Sequence, residues 1–117
     1  MYDHIGLKVK NLARSTGFYD AALKPLGARL IYEDDTTRGF GAKSPGLYLS
    51  KGTPEKGVHI AFAAPSRAAV DKFHEAGLKA GAKDNGAPGI RADYAPNYYA
   101  AFLIDPDGNN VEAVCLK

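Results

Sequence analysis

The property that most restricts the fold of this chain is that its second half repeats its first. Fifty-five positions separate His4 from His59, and the same offset pairs Ile5 with Ile60, Phe18 with Phe73, Asp20 with Glu75, Ala21 with Ala76, Leu23 with Leu78 and Lys24 with Lys79. Gly27-Ala28 and Gly81-Ala82 then match at 54, the slip falling where the first copy carries Pro25-Leu26. Self-similarity at a fixed offset sets the architecture before any element is assigned, because each copy must fold as the same supersecondary unit. At 117 residues the chain has the length of one domain, so the copies are two modules of a single domain.

Each copy opens on a strand. In His4 to Val9 the residues Ile5, Leu7 and Val9 share one face, and His4, Gly6 and Lys8 take the other. Val58 to Ala63 repeats the pattern, with Val58, Ile60 and Phe62 opposite His59, Ala61 and Ala63. A helix follows each strand. Asn11 caps the first, whose stripe is Leu12, Tyr19, Ala22, Leu23 and Leu26; Ser66 caps the second, with Val70, Phe73, Gly77 and Ala80. Further strands are expected over 28–33, 37–42 and 47–51, and again over about 82–85, 98–104 and 110–116. The unit is βαβββ, twice, an α+β chain with module one at 1–52, module two at 57–117 and a turn-rich connection between them. Asp105-Pro106-Asp107-Gly108-Asn109 reads as the turn of the closing hairpin, with one residue in the left-handed region. Gly86 to Asn97 reads as an irregular insertion, the kind of segment that often carries function.

Composition closes off several classes. Fifteen basic and thirteen acidic residues are interspersed, for a net charge of +2, which leaves no stripe for nucleic acid and no polybasic membrane patch. No apolar run approaches the roughly 20 residues of a membrane span. The one cysteine, Cys115, excludes an intramolecular disulfide and any multi-cysteine zinc site, and reads as a small buried hydrophobe. A cytoplasmic protein is the expectation.

Chemistry concentrates off the core faces. In the last strand Val111, Ala113 and Cys115 share one face, which leaves Glu112 on the other among apolar neighbours. A buried, unpaired carboxylate there costs several kcal/mol, so an arginine, a lysine or a metal ion must compensate it. His4 and His59 occupy equivalent off-core positions in the two opening strands. Two imidazoles and a carboxylate with open positions form a catalytic ligand set suited to Zn, Fe(II), Mn, Ni or Co. The competing reading is three ordinary polar residues, with Glu112 paired to a cationic side chain. Arg91, Tyr94 and Tyr98, on or beside the insertion, are candidates to line a substrate pocket. His74 is read as part of a solvated helix face.

The His4-Ile5-Gly6-Leu7 opening, the helix with Phe18-Tyr19, the second His59-Ile60-Ala61-Phe62, and the run from Phe102 to Glu112 through Asp105-Pro106-Asp107-Gly108-Asn109 together resemble the vicinal oxygen chelate superfamily. This group includes glyoxalases, bleomycin-resistance proteins, fosfomycin-resistance enzymes and extradiol dioxygenases. The resemblance implies two βαβββ modules whose sheets curl into cups with helices on the outer face, a divalent metal, a small-molecule substrate and a homodimer. On it, His4, His59 and Glu112 match the metal ligands. At the position of the fourth ligand, a glutamate in glyoxalase-type members, this chain carries Tyr48, which counts against a true lactoylglutathione lyase. The implied function is a metal-dependent lyase, isomerase or dioxygenase that polarises vicinal oxygens, with Glu112 and Tyr48 as candidate catalytic groups. The alternative is a metal-free, drug-sequestering protein of the bleomycin-resistance type. The resemblance leaves open whether one chain or two supply the ligands.

Overall fold

The computed structural model describes residues 2–117; Met1, inside the expected first module, lies outside the described residues. Strand β1 spans Ile5–Val9, helix α1 Leu12–Leu23, a 3-10 turn Lys24–Leu26, β2 Arg29–Glu33, β3 Thr37–Gly41 and β4 Pro45–Lys51. The second copy gives β5 His59–Ala63, α2 Arg67–Lys79, β6 Lys83–Ile90, β7 Tyr99–Ile104 and β8 Asn110–Cys115. The expected βαβββ duplication is present. The strands form two four-stranded sheets, ordered β1-β4-β3-β2 and β5-β8-β7-β6, and neither closes. In each, the opening strand runs parallel to the last strand of its module, while the remaining pairs are antiparallel.

Both helices start where their caps place them. The Asn11 side chain accepts from Arg14 N at 3.0 Å and the Ser66 hydroxyl from Ala69 N at 3.1 Å. Helix α1 packs on β2, β3 and β4, helix α2 on β6, β7 and β8, and the two helices pack on each other. The result is one core drawn from both modules, including Val9, Phe18, Tyr19, Leu49, Val70, Phe73, Leu103 and Val111. Gly77 makes the approach close, because a Cβ there would stand 2.3 Å from Leu103 Cδ1 and 3.3 Å from Phe18 Cε1. Since each sheet turns one face to this shared core, its other face points away from it.

Three details differ from the sequence reading. The buried face of α1 is Ser15, Phe18, Tyr19, Ala22 and Leu23, while Leu12 and Leu26, at the two ends of the helical segment, are half-buried. The second difference lies in the insertion: β6 continues to Ile90 by pairing with β7 across two register breaks, which the backbone of Gly86, at φ 153, accommodates. Only the turn from Arg91 to Tyr98 remains irregular. His74, finally, is 8% exposed, and its Nε2 lies 2.9 Å from Asp84 Oδ1. It follows Val70 by one helical turn and so shares its inward face. Asp84 also accepts from Gly86 N at 2.9 Å, and this bond, followed by the His74 contact, holds its carboxyl below the usual range.

The closing turn does more than reverse the chain. Gly108 takes φ 89, and Asp105, 4% exposed, accepts from Asp107 N, Asn109 N and Asn109 Nδ2 at 2.9, 2.8 and 3.0 Å. Its fourth donor comes from module one: the Tyr19 hydroxyl, at 2.5 Å. Asp107 meanwhile accepts from Lys10 N at 3.1 Å and the Ser15 hydroxyl at 3.2 Å. The turn of module two is therefore fastened to the start of α1, where negative charge also suits the helix dipole.

Candidate functional site

Alternation along β8 sends Val111, Ala113 and Cys115 into the core and Glu112 to the outward face of the second sheet. Its register neighbours are Phe102 on β7 and Ala61 on β5, and the small Ala61 leaves space beside the carboxylate. The Glu112 side chain is only 3% exposed. Its compensation comes from a histidine and a tyrosine rather than from an arginine or lysine. His59 Nε2, on a half-exposed ring, lies 2.8 Å from Oε1. The Tyr98 hydroxyl donates to Oε2. Burial, and then the Glu112 carboxylate, push the Tyr98 phenol up to about 12.

Around this trio stand other residues singled out from the sequence. The Tyr94 ring meets Tyr98 edge-on at 5.1 Å and is largely exposed. The Arg91 guanidinium lies 5.3 Å over the Phe102 ring and donates from Nη2 to the Ala87 carbonyl at 2.7 Å. Phe102 also faces His59, with ring centroids 6.5 Å apart. Sequence reasoning passed over Phe102, although the register of the closing hairpin places it directly opposite Glu112. His59, Arg91, Tyr94, Tyr98 and Glu112 thus gather on one face of the second sheet.

His4 and Tyr48 gather on the equivalent face of the first. Tyr48 pairs with Gly6 on β1 and Gly39 on β3. Gly39 lets its ring lie across the strand, since a Cβ there would stand 3.1 Å from Tyr48 Cε1. The His4 ring meets Tyr48 edge-on at 5.3 Å, and its Nδ1 is 2.7 Å from Asp3 Oδ1. Tyr32 extends the aromatic surface, 6.2 Å from Tyr48.

One chain does not bring His4 to His59 and Glu112. Among the described residues no group of three or more His, Cys, Asp or Glu is placed to hold a metal ion. The physical reason is the packing of α1 on α2: it fills the space between the modules and turns the two outward faces away from each other. The second module offers two donors of catalytic type, His59 and Glu112, whose Nε2 and Oε1 lie 2.8 Å apart. The first module offers one more such donor, His4. Within one chain the described residues therefore gather two of the three expected ligands, and His4 stands apart from them.

The glyoxalase/bleomycin resistance protein/dioxygenase superfamily model matches residues 2–113. A crystal structure of a glyoxalase/bleomycin resistance protein from Albidiferax ferrireducens T118 is 30% identical, with a TM-score of 0.87 and 98% of each chain covered. A glyoxalase/bleomycin resistance protein/dioxygenase family enzyme from Burkholderia phytofirmans PsJN is 18% identical, with a TM-score of 0.76 and 98% of each chain covered. The fosfomycin resistance protein FosX from Mesorhizobium loti is 20% identical, with a TM-score of 0.73, over 98% of this chain and 91% of its own. These last two share the fold. No curated protein matches the chain. Family model, duplicated topology and the 30% identical structure agree, and the chain belongs to the glyoxalase/bleomycin resistance protein/dioxygenase superfamily.

Proposed function

We propose that this protein is a divalent-metal-dependent enzyme of the lyase, isomerase or dioxygenase type, acting in the cytoplasm on a small molecule with vicinal oxygens. Its site is completed between two copies in a homodimer: His59 and Glu112 come from one chain, His4 and Tyr48 from the other. The observation that carries this reading is the Glu112 carboxylate, 3% exposed, with an imidazole nitrogen at 2.8 Å and no lysine or arginine on it. The duplication supports it, because His4, just before β1, corresponds to His59, the first residue of β5, and its side chain is 54% exposed. The edge positions of β1 and β5 add support, since each opening strand has a free side.

His59 and Glu112, with His4 of a second copy, would hold the divalent ion, which would supply Lewis-acid polarisation of substrate oxygens. The residues of the chain supply the rest. Arg91, steadied on Phe102 and the Ala87 carbonyl, is a fixed positive charge that pairs with an anionic part of the substrate. Tyr94, Tyr48 and Tyr32 supply aromatic walls. With Tyr48 in place of a carboxylate, Glu112 is the group left to hold or move a proton.

A second reading, metal-free sequestration of a small molecule, is favoured by one observation: within a single chain both Glu112 oxygens already have partners, His59 and Tyr98. Thermal unfolding with Zn, Mn, Ni or Fe(II) separates the two. A cation present at 100 times its dissociation constant stabilises the fold by about 2.7 kcal/mol. That is a rise of about 10 °C for a domain of this size. The metal reading expects this rise with at least one ion and its loss in His59→Ala; indifference to every ion favours sequestration.

A further inference from the structure

We infer that Tyr98 is a positioning residue for Glu112: it secures one carboxylate oxygen so that the other alone is presented beside His59. The inference extends the proposed metal reading, and its core, the fixing of Glu112, also stands without a metal.

The turn before β7 builds the device. Tyr98 and Tyr99 are adjacent, so extended backbone sends them to opposite faces. The Tyr99 hydroxyl goes to Asp71 on α2, at 2.5 Å, and the Tyr98 hydroxyl goes to Glu112 on the outward face. Tyr98 is itself held at three points. Its backbone N donates to the Ala95 carbonyl at 3.2 Å, its carbonyl accepts from Arg91 N at 2.7 Å, and its ring rests against Tyr94. A hydroxyl carried on so fixed a segment has little freedom to follow the carboxylate, so the carboxylate follows it.

The terminal torsion of a glutamate is broad, so the side chain alone does not fix the plane in which its carboxylate meets His59. Tyr98 fixes that plane. It occupies Oε2, while Oε1 lies 2.8 Å from His59 Nε2. Tyr98 is also a candidate substrate contact by its sequence position, and within the chain its hydroxyl is engaged by Glu112. Partners of this kind, bonded to a ligating carboxylate, change metal affinity by roughly 10- to 100-fold when removed.

The test compares Tyr98→Phe, which keeps the ring and its contact with Tyr94, with Tyr99→Phe, which removes a tyrosine-carboxylate bond on the other face. Two readouts are taken on the full chain: Zn affinity by titration calorimetry, and the imidazole nitrogen resonances of His59 in metal-free protein. The expected result is a 10- to 100-fold loss of Zn affinity and displaced His59 resonances in Tyr98→Phe, with neither in Tyr99→Phe. Wild-type affinity or unmoved resonances in Tyr98→Phe would overturn the inference. If the wild-type protein takes up no cation, the metal reading fails, and the His59 resonances alone decide the role of Tyr98.

Discussion

Replacing Tyr19 by Phe isolates one of the bonds that tie the two modules together. The Tyr19 ring is fully buried and Asp105 is 4% exposed, so the hydroxyl and its acceptor meet out of water at 2.5 Å. A hydrogen bond to a charged acceptor contributes about 1.5–3 kcal/mol. The lower part of that range applies here, because Asp105 keeps the donors from Asp107 N, Asn109 N and Asn109 Nδ2 and is not orphaned. Phe also fills the same ring volume, so no cavity term adds to it. A loss of about 1.5–2 kcal/mol lowers the midpoint of thermal unfolding by about 6–8 °C in a domain of this size. Urea unfolding should show the same loss as a lower midpoint with an unchanged slope. The pH dependence carries a second signature. Burial first, and then the Asp105 charge, raise the Tyr19 phenol well above its ordinary value of 10. The neutral form is thus favoured in the folded state, so the stability it brings is complete below about pH 10 and is lost as pH rises beyond that. The variant lacks this term, and the gap between it and wild type should narrow above pH 10. A midpoint within about 1 °C of wild type at neutral pH would refute the clasp.

The same chemistry recurs elsewhere in the chain. Tyr19, Tyr32, Tyr98 and Tyr99 all donate to carboxylates and all have raised values, Tyr98 to about 12, so tyrosinate absorbance of the native protein should rise later than that of the unfolded chain. Stability accordingly falls as pH climbs from about 10 towards 12; superimposed native and unfolded titrations would contradict this. Gly77→Ala sets a gain in helix propensity of about 1 kcal/mol against overpacking of about 1–3 kcal/mol. With the new Cβ 2.3 Å from Leu103 Cδ1, packing wins, and chemical denaturation should show a net loss of about 1 kcal/mol; an unchanged or more stable protein would show that β7 yields easily.

Much of the fold was legible because the signals were periodic and came twice. The offset relating His4 to His59 announced two copies of one unit, and the residues with capping chemistry, Asn11 and Ser66, cap the helices. His74 was misread because a histidine suggests a wet surface, although its spacing from Val70 gave the true direction; burial depended on a partner, Asp84, that lies on another element. The length of β6 was hidden because Gly86, Pro88 and Gly89 read as loop residues, and only the register breaks against β7 let them pair. At the site, alternation placed Glu112, His59 and His4 off the core. It could not say whether His4 comes to His59 and Glu112 within one chain, because that depends on how α1 packs on α2. The clasp was equally hidden: nothing local in Asp105-Pro106-Asp107 shows that Tyr19 and Ser15 lie against it.

The central claim, a metal site shared between two chains, is tested most directly by mixing two defective proteins. His4→Ala and Glu112→Ala homodimers should each lose the bound cation. In a mixed dimer one site carries both changes and the other carries neither, so after subunit exchange about a quarter of the sites become intact. The account predicts that metal content, measured by elemental analysis, recovers to about that fraction of wild type on mixing. A wild-type protein that binds the ion, with no recovery in the mixture, would contradict it.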